Sequence, residues 1–322
     1  MQTRKLGRTD LDLSVIGLGS YAIGGDWYFG WGLQDDEESI TAILHGIEKG
    51  INWIDTAPIY GCGHSEEIVG KAIKGLSSKP IISTKCGHVC DNRGDPVFSL
   101  GRENIRIDVE RSLKRLQIDV IDLCQIHWPN PEKDVEEAWS VLVELVKEGK
   151  IRYIGVSNFD VEQMQRIQSI HPVAFLQPPY SILERGIENR ILDYCMQSNI
   201  GVIAYSPMQQ GLLTGKFSKE RLQNLPAKDV RHKMPHFQEP QFSANLELAD
   251  GLYSIAEKND CTVAQLAIAW VLRRPEVTAA IVGTRRPSQI KETVLAGDLK
   301  ISEDAISAIN KLIAKRDEAL NI

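Results

Sequence analysis

Short apolar runs alternate along this chain with longer stretches in which apolar residues recur every three to four positions. A short apolar run closed by glycine, proline or a polar residue predicts a strand buried on both faces of a parallel sheet. Such runs fall at residues 13–16, 51–55, 79–85, 120–126, 151–156, 173–176, 201–204 and 278–282. Between them the spacing predicts amphipathic helices. Ile40, Ile43, Leu44 and Ile47 mark one that starts at Asp35 or Asp36 and stops at Gly50, and Ile105, Val109, Leu113 and Leu116 mark another. Further helices are predicted over 65–75, 134–148, 161–170, 187–196, 246–257, 262–273, 288–296 and 302–319. Strict alternation with no Pro- or Ser-rich linker predicts one α/β domain over 1–322, a closed (β/α)8 barrel of the TIM type. It carries a small N-terminal hairpin over 1–12, a glycine-rich loop over 86–101 and a long lid segment of little periodicity, 208–244, after the seventh strand. An open doubly wound sheet is the runner-up.

The barrel is preferred because nearly every predicted strand ends on polar residues, as strands do around one shared mouth. Asp55 ends the second, with Tyr60 in the loop behind it; Lys85 ends the third and His127 follows the fourth. Ser157-Asn158, Gln177-Pro178, Tyr205-Ser206-Pro207 and Gly283-Thr284-Arg285-Arg286 follow the rest. Gly17-Leu-Gly19-Ser-Tyr-Ala22 superficially matches a dinucleotide fingerprint. That match is rejected, because its glycines run into the loop residues Gly24 to Gly32 and open no helix. Trp27, Tyr28 and Trp31, with Trp128, read instead as rim aromatics and candidate substrate-pocket residues.

The chemistry of the first four residues fits together. A phenol has a pKa of about 10 and is a poor proton donor near neutrality. A neighbouring ammonium lowers that value, a carboxylate holds the ammonium, and a histidine orients a carbonyl oxygen. This is apparatus for proton transfer to a carbonyl oxygen, and a cofactor must supply the electrons.

In this order the residues resemble the aldo-keto reductases, NADPH-dependent enzymes on a (β/α)8 barrel. The likeness covers essentially the whole chain: Ile54-Asp55-Thr56-Ala57 with Tyr60-Gly61, Ser83-Thr84-Lys85, Ile126-His127-Trp128, Gly155-Val156-Ser157-Asn158-Phe159 and Leu176-Gln177-Pro178. It continues through Tyr205-Ser206-Pro207, Gly211-Leu212-Leu213-Thr214-Gly215-Lys216 and Ile281-Val282-Gly283-Thr284-Arg285. The lidded middle and short C-terminus look most like the bacterial general-stress branch, related also to potassium-channel β-subunits. The resemblance implies that Tyr60 is the general acid, Lys85 its pKa-lowering partner, Asp55 the counter-ion and His127 the carbonyl orienter. It implies that Tyr205 stacks under the nicotinamide and that Ser157, Asn158 and Gln177 hold its carboxamide. It further implies that Ser206, Pro207, Met208, Gly211, Leu213 and Lys216 wrap the pyrophosphate region and that Gly19, Ser20, Tyr21 and Asp55 are further cofactor contacts. By the same resemblance Gly283, Thr284, Arg285, Gln289, Glu292 and Thr293 are expected to line the adenosine end. A guanidinium at Arg285 suits a dianionic 2′-phosphate and favours NADP over NAD. Thr293 departs from the asparagine the family often carries, and Met208 and Gln209 are more polar than usual for a lid.

Composition alters this picture little. A net charge of -6 and a pI near 5.7 argue against nucleic-acid or membrane-surface partners. No run approaches the roughly 20 apolar residues of a membrane span, and no signal peptide is seen. Six scattered cysteines predict free thiols in a cytoplasmic protein. Cys86, His88 and Cys90, with Cys62 and His64, match no common zinc spacing, so no metal is expected. The expected partner is a small carbonyl substrate; oligomeric state is not readable. Two other functions compete: an NADPH-sensing regulatory module with slow turnover, and a barrel aldolase using Lys85 as a Schiff-base lysine.

Overall fold

A computed structural model describes residues 1–322. The chain opens with an antiparallel hairpin, β1 (Thr3–Lys5) and β2 (Asp12–Ser14), then enters the barrel at β3 (Ile16–Gly19). Next come α1 (Asp36–Glu48), β4 (Trp53–Asp55), α2 (His64–Ile73) and β5 (Ile81–Cys86). A second hairpin, β6 (His88–Cys90) and β7 (Pro96–Phe98), precedes α3 (Arg102–Leu116). The alternation continues through β8 (Ile121–Ile126), α4 (Val135–Lys147), β9 (Ile151–Ser157), α5 (Val161–Gln168), β10 (Phe175–Gln177), α6 (Ile191–Gln197) and β11 (Gly201–Ala204). Then follow α7 (Lys219–Gln223), α8 (Gln241–Lys258), α9 (Val263–Leu272), β12 (Val277–Gly283), α10 (Pro287–Thr293) and α11 (Glu303–Leu320). Eight parallel strands, β3-β4-β5-β8-β9-β10-β11-β12, close into a barrel as β12 pairs back to β3. This is the expected (β/α)8 fold.

Local chemistry starts the helices where the pattern predicted. Asp35 accepts from the Glu38 backbone N–H at 2.7 Å, and three acids fill the first turn of α1. Thr262 and Gln265 form a reciprocal cap at the head of α9. All ten α9 residues are buried, which explains a helix that is apolar on every side.

The floor of the barrel is closed from below. Leu6, Leu11 and Leu13 of the first hairpin pack with Trp53, Leu123, Phe175, Ile203 and Ile281. Trp53 donates its indole N–H to the Ser14 carbonyl at 2.8 Å. A Cβ at Gly17 would lie 2.0 Å from the Trp53 ring, and one at Gly19 would lie 2.6 Å from Ile281 Cγ2. Those close approaches explain the two glycines of the rejected fingerprint, and α1 does begin well downstream of them.

The structure also corrects some boundaries. The first barrel strand is Ile16–Gly19 and not 13–16, because Asp12–Ser14 is the return strand of the hairpin and Leu13 turns to the floor. The loop over 86–101 contains β6 and β7. The segment 208–244 is built from short turns of 3-10 helix, Gln209–Thr214, Val230–Lys233 and Pro235–Phe237, with α7 among them and α8 starting at Gln241.

Candidate active site

Asp55 is the last residue of β4 and lies level with Ser83 on β5, while Lys85, two residues on, pairs with Gln125 of β8. Side chains two apart on a strand share a face, so these groups meet inside the barrel mouth. Lys85 Nζ donates to Asp55 Oδ2 at 2.7 Å and to the Thr56 carbonyl at 2.8 Å. Asp55 Oδ1 accepts from Gln177 Nε2 at 2.8 Å, Ser83 Oγ at 3.2 Å and Gln125 Nε2 at 3.4 Å. Both charges are buried. Such a pair is tolerated when other hydrogen bonds support both charges, as three further donors do for Asp55 and the Thr56 carbonyl does for Lys85. Burial pushes the Lys85 ammonium below its ordinary pKa, and the Asp55 charge and hydrogen bond pull it back up.

Tyr60 is set by an unusual turn. Gly61, Cys62 and Gly63 all have positive φ (60°, 55° and 100°). A Cβ at Gly61 would lie 2.1 Å from the Gly24 carbonyl oxygen, so only glycine lets the two loops cross there. The turn seats the Tyr60 ring with its centroid 5.1 Å from Lys85 Nζ and 6.0 Å from the His127 ring. Burial first, and the Asp55 charge second, push the Tyr60 phenol well above its ordinary value. The shift runs opposite to the lowering expected from Lys85, because the ring is enclosed and the Asp55 carboxylate answers the ammonium. The phenol keeps its proton, the form a donor needs. His127 is pushed the other way: burial, then Lys85, then His88 hold its imidazole neutral.

Tyr60, His127 and Asp55 lie on a cavity of about 490 Å³. Of the cofactor residues inferred from the sequence, Gly19, Tyr21, Ser157, Asn158, Gln177, Tyr205, Ser206, Pro207, Met208, Gly211, Gly283 and Gln289 line it. Several are already engaged with each other. Asn158 Nδ2 donates to the His127 carbonyl and to Ser157 Oγ, each at 3.0 Å, and the Tyr205 hydroxyl donates to Asn158 Oδ1 at 2.8 Å. The Tyr205 ring is thereby fixed at the cavity wall.

Other inferred residues are not on the lining. Ser20 accepts from Ser65 Oγ at 2.7 Å, Leu213 is fully buried, and Lys216 meets Glu292 at 3.3 Å. Thr284 and Thr293 bond to backbone carbonyls of Arg286 and Gln289. Arg285 donates to Gln34 Oε1 and to the Trp31 and Leu33 carbonyls, which ties β12 to the loop before α1.

Trp27, Trp31 and Trp128 line the cavity, whereas Tyr28 stands outside it, 54% exposed, with Phe29 facing in instead. Sequence reading also missed His88, Phe98, Gln210, Arg221, Arg231 and Met234 on its wall. The first two arrive on the unforeseen β6–β7 hairpin and the rest on the segment after β11, where no periodicity signals a face. The expected free thiols need one correction: Cys62 and Cys90 form a disulfide across 28 residues, with Cα atoms 5.3 Å apart. The left-handed turn after Tyr60 brings them together, which spacing alone does not reveal. Cys86, Cys124, Cys195 and Cys261 are free.

A buried ammonium–carboxylate pair, a protonated phenol and a neutral imidazole can hold and deliver a proton at one oxygen atom, the work of a barrel oxidoreductase. The family description "Aldo/keto reductase family" matches residues 15–314. Aldo-keto reductase YhdN of Bacillus subtilis (strain 168) is 41% identical over 295 residues, covering 90% of this chain and 87% of that one. A protein of Escherichia coli (strain K12) named NADH-specific methylglyoxal reductase is 35% identical over 316 residues, 94% of this chain and 95% of its own. Among solved structures, the glycerol dehydrogenase AKR11B4 from Gluconobacter oxydans superposes with a TM-score of 0.88 at 37% identity, covering 98% of this chain and 95% of that one. The chain belongs to the aldo/keto reductase family, whose members are oxidoreductases acting on carbonyl compounds.

Proposed function

We propose that this protein reduces small aldehydes and ketones to alcohols with NADPH, Tyr60 giving the proton, and that residues 1–322 work as one domain. The observation that carries the reading is the buried Lys85–Asp55 pair at 2.7 Å, with the Lys85 ammonium 5.1 Å from the centre of the Tyr60 ring and the His127 ring 6.0 Å from the same centre. The residues present fit a nicotinamide dinucleotide: the cavity extends from His127 past Tyr205 to Gly283 and Gln289, and a Cβ at Gly283 would meet nothing within 4 Å. When bound, the reduced nicotinamide supplies hydride to the carbonyl carbon. Tyr205 presents a ring face to that group, and the carbonyl end of Gln177, whose amide N–H is given to Asp55, is left for it. Tyr60 and His127 hold the substrate oxygen between them, and the Tyr60 proton passes to it as negative charge develops there.

The phosphate preference rests on Arg285 and Arg286 beside one another after β12. Arg285 is half-buried and spends donors on Gln34 and two carbonyls, and Glu38 lies 3.7 Å from Arg286. A 2′-phosphate therefore competes with Gln34 and Glu38, and the relative named as NADH-specific gives the preference weight as a test. The relatives named for methylglyoxal and glycerol support a small carbonyl substrate and its alcohol. A cytoplasmic site of action goes with the four free cysteines, while the Cys62–Cys90 disulfide weighs against it; no helix is long and apolar enough to cross a membrane.

The test is steady-state oxidation of NADPH, and separately NADH, by the purified protein with a panel of small aldehydes and ketones. Carbonyl-dependent turnover with higher kcat/KM for NADPH is expected. Tight binding of NADPH without turnover would instead favour a cofactor-sensing module.

A further inference from the structure

Three ring nitrogens with no hydrogen-bond partner sit in two adjacent buried imidazoles: Nδ1 and Nε2 of His88, and Nδ1 of His127. Buried polar atoms are nearly always paired, so a group of orphans in one place calls for a function. The two rings lie 5.3 Å apart, centre to centre, and inclined at 61°. His88 is 5% exposed and belongs to the wall of the same cavity as His127.

The placement of His88 is over-determined. Its ring stacks on Phe98 from the paired strand of the hairpin, with centroids 4.1 Å apart and planes 14° from parallel. The residue before it, Gly87, gives its N–H to Asp108 Oδ2 of α3 at 2.9 Å and its carbonyl to the Ser99 N–H at 3.0 Å. Two residues beyond, Cys90 is bonded to Cys62, in the turn that seats Tyr60. A side chain held from so many directions has a fixed orientation relative to the residues that face the substrate.

A neutral imidazole carries one donor and one acceptor nitrogen, and the hydrogen bond made by one nitrogen decides which tautomer is present. Burial holds both rings neutral. To orient a carbonyl oxygen, His127 must present an N–H to the cavity, so its other nitrogen must be the acceptor. Nδ1 is the buried one. No donor bonds to it in the structure: the Lys85 ammonium gives two of its protons to Asp55 and the Thr56 carbonyl, and both Asn158 amide protons go to the His127 carbonyl and Ser157. His88 is the neighbouring ring with a proton to give.

We propose that His88 is a positioning residue for carbonyl reduction: one of its ring N–H groups donates to Nδ1 of His127 through one bridging water, the two rings making no direct bond. The bond fixes the His127 proton on Nε2, the nitrogen that faces the cavity. This rests on the reductase reading of the site, in which His127 orients the substrate oxygen. The opposite tautomer would turn a lone pair toward that oxygen and repel the charge that develops on it.

The test combines a spectroscopic and a kinetic readout. Nitrogen-15 NMR of the imidazoles, with His127 assigned from its own substitution, should show the wild-type ring protonated on Nε2 alone. His88→Leu should give a mixture of both tautomers and lower kcat by roughly tenfold, with the affinity for NADPH unchanged. His88→Gln, which keeps an N–H donor, should restore kcat to within about threefold of wild type. Protonation of wild-type His127 on Nδ1 would overturn the proposal. So would an unmixed Nε2–H tautomer and unaltered kcat in His88→Leu, or a Gln variant no better than Leu. If His88→Leu does not fold, the wild-type spectrum and the Gln variant still decide. Absence of carbonyl reduction by the wild type would defeat the reductase reading instead, and the tautomer measurement would stand apart from it.

Discussion

Tyr60 is the proposed proton donor, and its surroundings allow binding and reaction to be tested separately. Its ring is buried against Tyr21, Trp27, His127 and the Lys85 ammonium, so removing the hydroxyl alone leaves the packing in place. Tyr60→Phe is expected to lower the rate of carbonyl reduction by about 10²–10⁴-fold, the usual worth of a positioned general acid, while NADPH binding stays near wild type. Fluorescence titration with NADPH and a steady-state assay check the two halves, and a variant that keeps most of its rate would remove Tyr60 from the role. Arg285, off the lining but bonded through its backbone N–H to Gln289 at the cavity wall, makes a complementary case. Arg285→Ala should weaken NADPH far more than NADH, because a guanidinium matches a phosphate dianion and has nothing comparable to grip on a ribose hydroxyl. Equal losses for both cofactors would mean that Arg285 serves only its contacts with Gln34 and the 31–33 carbonyls.

Among the elements, the β6–β7 hairpin is the least foreseeable and the most consequential. It is anchored through Asp108, whose carboxyl accepts from the Gly87 N–H and is pushed up to about 6, chiefly by burial. A folded-state pKa above the unfolded value of 3.8 means that the folded protein holds the proton more tightly. The stabilisation is complete below about pH 4 and is lost as pH rises through about 6, amounting to at most about 3 kcal/mol at one unit per 1.36 kcal/mol. Asp108→Asn keeps an acceptor for Gly87 and removes the titration. Urea unfolding should find the variant more stable than wild type at pH 7 and not at pH 4; an equal difference at both would show that Asp108 does not titrate in that window.

The same hairpin marks where sequence reading reaches its limit. Strands of the barrel are legible because each is a short apolar run that must end on a polar residue at a common mouth, which is how Asp55, Lys85, His127 and Gln177 are found. His88-Val-Cys90 and Pro96-Val-Phe98 are each three residues long with aromatics, a histidine and a cysteine among glycines. No period can show in so short a run. The first strand slips for a related reason: Leu11, Leu13, Val15, Ile16 and Leu18 are all buried, and an apolar stretch that feeds both floor and wall gives no sign of where one strand stops. Partners set by crossing loops, Cys62 with Cys90 and Gly61 with Gly24, appear only once the barrel has brought distant segments together.

At the scale of the whole molecule, two excursions from the barrel meet over the cavity. The loop of residues 20–35 and the segment after β11 touch through Arg231, whose guanidinium stacks on Trp31 at 4.4 Å and is held by buried Asp229 at 2.7 and 2.9 Å. The Val230 N–H also reaches the Gly30 carbonyl, at 3.4 Å. Removing Arg231 would leave the Asp229 carboxylate buried without its counter-ion, a loss of about 3–5 kcal/mol that would confuse closure with unfolding. Trp31 is the cleaner place to act. Trp31→Leu keeps an apolar side chain and the Asp229–Arg231 pair; it deletes the cation–π contact, worth about 0.5–2 kcal/mol, together with an edge-on contact to Tyr21. If the two excursions together retain the cofactor, the variant should release NADPH roughly fivefold faster in a stopped-flow displacement experiment, with unfolding little changed. Where release limits turnover, as in many enzymes that close over their ligands, kcat should rise rather than fall. An unchanged release rate would assign the Arg231–Trp31 stack to holding the loops in place and leave exchange of the cofactor to another part of the mouth.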